Sequence, residues 1–140
     1  MNIPIYRAKK VYSDEYVIGW YSDPILIEGK LYLSITNKNG TFRIDTTTLA
    51  IHFDDMIDSE GNRIFASLGE NGKGGDIADI HMFTQELGEN LGAIEGEREF
   101  KATFIFNDLG YGLKTDSEIE MVAYYGGLHE ESFKVIGIQE

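Results

Sequence analysis

Short segments in which apolar and polar residues alternate, separated by glycine, asparagine and aspartate, constrain the fold of this chain most strongly. Side chains two residues apart share one face of a strand, so this period favours strands over helices. Clear examples are residues 16–21, 30–37, 100–106 and 133–138. The pattern predicts a mainly β fold: a small antiparallel β-sheet or barrel-like domain with at most one or two short helices.

Asn39 and Gly40 give the clearest hairpin motif in the chain. Both residue types tolerate positive φ, which a type I′ turn requires at its two central positions. We therefore predict a hairpin in which these two residues form the turn and Ile35 lies opposite Ile44. Phe42 and Ile44 then share a face with Ile35, so the turn chemistry and the apolar alternation favour the same register.

Other segments predict turns, loops and one short helix. Residues 46–53 continue in β-favouring types and are expected to form a strand. Residues 84–91, with Thr84 as the cap, are the best candidate for a helical turn, and residues 92–97 are expected to form a loop. Four glycines occur within residues 69–75, which we expect to form an exposed, mobile loop.

The composition fits one compact domain spanning residues 1–140. Apolar residues make up 42% of the 140 residues, which excludes intrinsic disorder. The chain has no cysteine, so it has no disulfide, no thiolate zinc site and no cysteine nucleophile. We expect neither a secretory signal nor a membrane span, because no apolar stretch is long enough, and a cytoplasmic location is the default.

The formal charge of -12, from twelve basic and twenty-four acidic residues, bears on the kind of partner. Nucleic-acid backbones attract clustered basic residues, whereas here Lys9 and Lys10 form the only adjacent pair. Direct nucleic-acid binding is therefore disfavoured. Acidity also keeps a protein soluble, and that explanation requires no partner.

The glycine-rich segment does not fit a phosphate-binding P-loop. That motif needs a glycine-lysine pair followed by Ser or Thr, but Gly72 and Lys73 are followed by Gly74. The segment around Gly61 does not fit a calcium-binding EF-hand loop either, because Met56 and Ser67 occupy two essential ligand positions. Asp58 and Glu60 within it are better explained as turn-forming residues, which matches the polar composition of residues 58–62.

The histidines suggest no metal site. His52, His81 and His129 are far apart in the chain, so no helical zinc pair exists. His52 fits a half-buried sheet position, and Glu130 and Glu131 would favour the charged form of His129 if they lie close to it. The sequence therefore predicts no catalytic, cofactor-binding or metal-ligating set and no cofactor.

Aromatic residues offer a possible contact surface. Trp20 with Tyr16 and Tyr21, and later Tyr124 with Tyr125, have the residue types that dominate binding hot spots. Most aromatic residues of a β-rich domain pack in the core or on a sheet face, and we expect the same here. Adjacent tyrosines cannot both point inward on a regular strand, so one of Tyr124 and Tyr125 is expected to be exposed.

Several segments, in this order along the chain, resemble the YopX family of phage and prophage proteins. They are residues 5–8 (IYRA), 57–65 (IDSEGNRIF), 75–78 (GDIA), 104–114 (FIF to YGLK) and 133–137 (FKVIG). The resemblance implies a small, mainly β, phage-associated protein. It implies no established activity and assigns no site residue.

The leading functional hypothesis is a non-enzymatic accessory protein of a phage or prophage that acts by protein–protein contact in the cytoplasm of the bacterial host. The alternative is an acidic DNA mimic that inhibits a host DNA-binding protein, for which acidic residues would have to cluster on the surface. A single-stranded nucleic-acid barrel that uses aromatic stacking and an enzyme assembled only in three dimensions also stay open, as does homo-oligomerisation. The candidate acidic clusters are Asp54, Asp55, Asp58 and Glu60; Glu95, Glu97 and Glu99; and Glu130 with Glu131.

Overall fold

The computed structural model describes residues 4–22, 24–53, 56–87, 93–108, 110–116, 119–121 and 133–140. Over these residues the secondary structure is almost entirely strand, one 3₁₀ turn at Thr46–Thr48 is the only helical element, and no helix could span a bilayer. The predicted mainly β fold is confirmed. In chain order the strands are β1 (Ile5–Lys9), β2 (Tyr16–Tyr21), β3 (Ile25–Ile27), β4 (Lys30–Tyr32), β5 (Ser34–Asn37), β6 (Gly40–Arg43), β7 (Ala50–His52), β8 (Ala66–Ser67), β9 (Asp76–Leu87), β10 (Ala93–Asn107), β11 (Gly110–Lys114), β12 (Ile119–Met121) and β13 (Phe133–Ile138).

Eleven of these strands form one sheet. Neighbouring strands follow the order β12-β11-β10-β8-β7-β1-β2-β5-β6, while β9 pairs with β10 and β13 pairs with β9. Strands β3 and β4 form a separate two-stranded ribbon. Among the described strands, every pairing is antiparallel except a short parallel contact of Ser67 in β8 with Ile105 in β10. Antiparallel neighbours need only short turns, which agrees with the closely spaced turn residues of the sequence.

Two clusters of buried apolar side chains pack against the sheet. Strand β7 lies between β8, which contributes to the first cluster, and β1, which contributes to the second. The alternation predicted for residues 100–106 is confirmed, because Phe104 is fully buried in the first cluster and Phe100 and Phe106 pack against it. The buried residues of the first cluster are Ile64, Ala66, Ala78, Ile80, Ala102, Phe104, Leu113 and Phe133. Those of the second are Ala8, Val17, Ile35, Ile44 and Leu49.

The predicted hairpin around Asn39 is present, but its register differs from the prediction by two residues. Ile35 lies opposite Phe42 and Asn37 lies opposite Gly40, so Asn39 and the residue before it form the turn. The Asn37 side chain accepts the Asn39 backbone N–H at 2.8 Å, and only Gly40 has positive φ. A shift of two residues leaves every side chain on its predicted face, which is why the apolar alternation did not distinguish the two registers.

The chain departs from the predicted strands at residues 30–37 and 46–53. The first segment is two strands, because β4 pairs with β3 whereas β5 pairs with β2 and β6. In the second segment the prediction is wrong at Thr46–Thr48, where the Asp45 carboxylate accepts the Thr47 N–H at 3.0 Å and caps a 3₁₀ turn. An aspartate side chain offers the backbone a local hydrogen bond that competes with the sheet ladder.

The helical turn predicted at residues 84–91 and the loop predicted at residues 92–97 are both wrong where the structure describes them. Thr84 lies opposite Gly96 and Leu87 lies opposite Ala93 in the ladder between β9 and β10. The partner strand pairs with the described part of each segment, and this tertiary contribution outweighs a weak local helix propensity. Residues 88–92 lie outside the described part of the chain.

The glycine-rich segment at residues 69–75 is exposed only at its start, contrary to the prediction of an exposed loop. Gly72, Gly74 and Gly75 are buried. Gly74 has a φ of +85°, and a Cβ added there would lie 2.0 Å from the Thr48 carbonyl oxygen. Its N–H donates to the carbonyl oxygen of Gln139 at 2.8 Å. Glycine is needed at this position because the backbone passes directly against the turn at Thr46–Thr48.

Candidate functional site

A buried ion pair joins β1 to the start of β9. Arg7 Nη2 lies 2.8 Å from Asp76 Oδ1 and also donates to the Gly74 carbonyl oxygen at 2.8 Å. The guanidinium carbon of Arg7 lies 4.7 Å from the centre of the Phe65 ring. The second carboxylate oxygen, Asp76 Oδ2, accepts the Phe65 backbone N–H at 2.8 Å. These contacts fix strand β1 against the segment that leads from β8 into β9.

The protonation of Asp76 is shifted by this environment. Burial raises the pKa of Asp76 above its ordinary value, because desolvation outweighs the attraction of Arg7 and the hydrogen bond from Phe65. A raised carboxyl pKa is a property that catalytic acids share. Here, however, each carboxylate oxygen already accepts a protein donor and both side chains of the pair are almost fully buried. The arrangement is suited to holding the fold together rather than to attacking a substrate.

Asp58 is a second buried carboxylate, and its partners are three backbone N–H groups and the side-chain amide of Asn62, which donates to Oδ2 at 3.1 Å. Oδ1 accepts the N–H groups of Glu60 at 3.0 Å and Asn62 at 2.8 Å, while Oδ2 accepts the Val135 N–H at 2.9 Å. Burial alone would raise the pKa of Asp58, but the hydrogen bonds outweigh that effect and lower it. The prediction that Asp58 forms a turn is confirmed, and the same side chain also fastens this turn to β13.

The His52 side chain is buried. Its Nδ1 lies 3.1 Å from the Ile64 carbonyl oxygen, and its ring centre is 5.8 Å from that of Phe65. His52 lies opposite Ile5 in the ladder between β1 and β7. These contacts explain His52 as a satisfied core residue.

His81 is one of the residues that line a depression on the ladder between β9 and β10. The depression has a volume of about 450 Å³ and is also lined by Asp79, Glu99 and Lys101. Glu99 is the cross-strand partner of His81. Within the described ranges, no three His, Asp or Glu residues are arranged to hold a metal ion. His129 lies outside these ranges.

Exposed large apolar side chains are concentrated at residues 11–31. Eight of the eleven such residues described lie in this stretch, and only Leu68, Ile119 and Ile136 lie elsewhere. Trp20 is 54% exposed, so it lies on an outward sheet face and not in the core. Strand β2 alternates, with Val17 inward and Trp20 outward. We use the name N-terminal apolar surface for these eight residues, which are close in sequence and lie on both faces of β2: Val11, Tyr12, Ile18, Trp20, Tyr21, Leu26, Ile27 and Leu31.

The ribbon formed by β3 and β4 carries the most exposed leucines of this surface. Leu26 and Leu31 lie directly opposite each other and are 68% and 69% exposed. The turn between the strands contains Glu28 and Gly29, both with positive φ, as a type I′ turn requires. A ribbon of two strands is at best marginally stable by itself. Burial of the two exposed leucines against another surface would stabilise it and would explain their exposure here.

A groove lies beside Trp20 on the outer face of β2, with a volume of about 380 Å³. Ile18, which lines the groove, lies opposite Arg7 in the ladder between β1 and β2. The groove and the Arg7 side chain are therefore on the same face of the sheet. We call this feature the Trp20 groove. The residues that line it include Ile5, Ile18, Trp20, Asn37, Lys38 and Arg63.

The charge is divided unevenly along the chain. Residues 1–52 contain six basic and five acidic residues, whereas residues 53–140 contain six basic and nineteen acidic residues. The net charge of -12 therefore comes entirely from residues 53–140. The N-terminal apolar surface belongs to the nearly neutral part of the chain, where apolar contact meets little like-charge repulsion.

Searches of protein-family models, curated proteins and solved structures return no match for this chain. The resemblance to the YopX family therefore stays a prediction. The segments that carry this resemblance supply the three buried charged residues described above, Arg7, Asp58 and Asp76.

Proposed function

We propose that this protein is a non-enzymatic accessory protein of a phage or prophage that acts by protein–protein contact in the bacterial cytoplasm. The observation that carries the contact function is the N-terminal apolar surface, and above all the ribbon with Leu26 and Leu31 exposed. The phage origin and the cytoplasmic location rest on the family resemblance and on the sequence pattern.

The energetics favour contact through this surface. Burying an exposed leucine side chain stabilises a complex by about 1.5–3 kcal/mol, so Leu26 and Leu31 are strong candidate contacts. Trp20 adds a residue type that is enriched in binding hot spots. The described buried carboxylates, Asp58 and Asp76, are engaged by protein donors, which supports a binding role over a catalytic one.

The test is capture of host proteins by the full chain and by a double variant, Leu26→Ser with Leu31→Ser. We expect the wild type to retain one or a few proteins reproducibly and the double variant to lose them. Leu68→Ser is the matched control, because Leu68 is also exposed but lies outside the N-terminal apolar surface. Equal capture by the double variant, or no enriched protein at all, would contradict the proposal.

An acidic DNA mimic is the second candidate, and the nineteen acidic residues within residues 53–140 favour it. Asp58 and Asp76 are buried, however, and contribute no surface charge. Of the candidate acidic clusters, Asp54, Asp55, Glu130 and Glu131 lie outside the described residues, and the side chains of Glu95 and Glu97 are not described. The discriminating measurement is competition: a mimic displaces DNA from a host DNA-binding protein, and this effect weakens steeply as salt is raised.

A further inference from the structure

We propose that the Trp20 groove binds an extended segment of a partner protein in which a carboxylate side chain stands beside an apolar one. The inference rests on the proposed contact function and names the chemistry of the partner. It concerns the groove and not the leucines of the ribbon, so the two can be tested separately.

The apolar part of the groove is built by strand alternation. Ile18 and Trp20 are two residues apart in β2 and are both exposed, which places their side chains on one face about 7 Å apart. Gly19 between them lies against β5, where an added Cβ would be 2.3 Å from the Thr36 carbonyl oxygen. The base of the groove is therefore held by close packing of two strand backbones.

The polar side of the groove is fixed before any ligand arrives. Asn37 donates from Nδ2 to the Ile18 carbonyl oxygen at 3.0 Å, and its Oδ1 accepts the Asn39 N–H at 2.8 Å. Both ends of this amide are thus engaged by backbone groups, one in β2 and one in the hairpin turn. A preformed rim reduces the entropy lost when a ligand is ordered.

Two cationic side chains at the groove favour a ligand that carries a carboxylate. Neither Lys38 nor Arg63 has a carboxylate partner among the residues described, whereas Arg7 and Lys9 pair with Asp76 and Glu140. The described residues that line the groove include no acidic residue. Although the chain has a net charge of -12, a partner carboxylate that enters this groove would lie near two positive charges and beside apolar side chains.

The size and the overall charge select a peptide over a nucleic acid. A volume of about 380 Å³ is near the lower end of ligand pockets and accommodates a few side chains. Single-stranded nucleic acid needs a basic track along its backbone, and the net charge of -12 opposes a polyphosphate chain far more than one or two carboxylates.

The test uses Trp20, which is the only tryptophan of the chain, so its emission reports on the groove directly. The probe is a six-residue peptide of alternating glutamate and phenylalanine, and the comparison is the same peptide with lysine in place of glutamate. We expect the glutamate peptide to change the emission saturably, with at least fivefold tighter binding than the lysine peptide, and the difference to shrink at high salt.

Variants of the rim test the role of charge. Lys38→Ala and Arg63→Ala should each weaken the glutamate peptide about two- to fivefold, as loss of an exposed ion pair does. Lys101→Ala, which removes a cation outside the groove, should leave binding unchanged. Trp20→Ala, followed by polarisation of a dye-labelled peptide, should weaken it more than tenfold, with circular dichroism to show that the fold persists.

Any one of three binding results would overturn the inference: equal binding of the two peptides, binding unaffected by Arg63→Ala, or binding of oligothymidylate without binding of the glutamate peptide. A dimer that Trp20→Ala dissociates and the peptide does not would instead assign the groove to a second copy of the chain, and would also overturn it. If the glutamate peptide does not bind while capture of host proteins still depends on Leu26 and Leu31, only the groove inference is refuted. If the peptide binds while capture does not depend on those leucines, the proposed contact surface is refuted instead.

Discussion

Replacing Arg7 with methionine would expose how much the buried ion pair contributes to stability. Arg7 provides the 2.8 Å contact to Asp76, a hydrogen bond to Gly74 and a stacked contact with Phe65, and methionine retains only part of the apolar contact. Removing one partner of a buried pair leaves an uncompensated charge and costs about 3–5 kcal/mol of unfolding free energy. Total stabilities are about 5–15 kcal/mol, so the variant is expected to fold but with a much lower urea midpoint.

The cost of Arg7→Met should depend on pH in a direction that the structure fixes. The pKa of Asp76 is already raised in the folded protein, and loss of the guanidinium raises it further. A carboxyl with a raised folded pKa stabilises the protein below its unfolded pKa, and that stability is lost as pH rises through the folded pKa. The difference in unfolding free energy between wild type and variant therefore grows as pH rises above the pKa of Asp76 in the folded wild type, by up to about 1.4 kcal/mol per pH unit.

The assay is urea unfolding followed by circular dichroism between pH 4 and pH 8. Lys9→Met is the matched control on the same strand, because the pair of Lys9 with Glu140 is exposed and should contribute little. The double variant Arg7→Met with Asp76→Asn should cost clearly less than the two single variants summed, since they share one interaction. Additive costs, or a cost of Arg7→Met that is the same at every pH, would refute this account of the pair.

Three further outcomes are expected, each measurable by chemical unfolding. Phe104→Ala, at a fully buried core position, should lower the unfolding free energy by about 3–5 kcal/mol, and a loss below 1 kcal/mol would contradict the described core. Gly74→Ala should destabilise strongly, because its Cβ would collide with the Thr48 carbonyl oxygen, whereas Gly137→Ala, with open space around it, should be tolerated. Asp58→Asn should cost about 3 kcal/mol at pH 7, because an amide cannot accept hydrogen bonds on both of its atoms. The lowered pKa of Asp58 gives stability that is present above its unfolded pKa and lost as pH falls through its folded pKa, so this cost should shrink in acid. An undiminished cost at pH 3 would argue against that explanation.

The candidate sites were only partly predictable from the sequence. Asp58 was predicted as a turn residue from local composition, since an aspartate bonds to the backbone a few residues away. Its bond to Val135, and the pairing of Arg7 with Asp76, join residues far apart in the chain. The Trp20 groove likewise combines β1, β2, a hairpin turn and Arg63, and no local pattern indicates which cations would lie there.

The alternation of apolar residues by itself determined the strand-rich fold and the inward face of β10, because a two-residue period encodes which side of a strand is buried. It did not determine pairing, which depends on partners distant in the chain. Only the tertiary structure decided that Thr84 belongs to a strand, that Asn37 lies opposite Gly40, and that Trp20 faces outward. The physical reason is that a ladder hydrogen bond or a covering side chain comes from another segment, and local sequence carries no record of which segment that is.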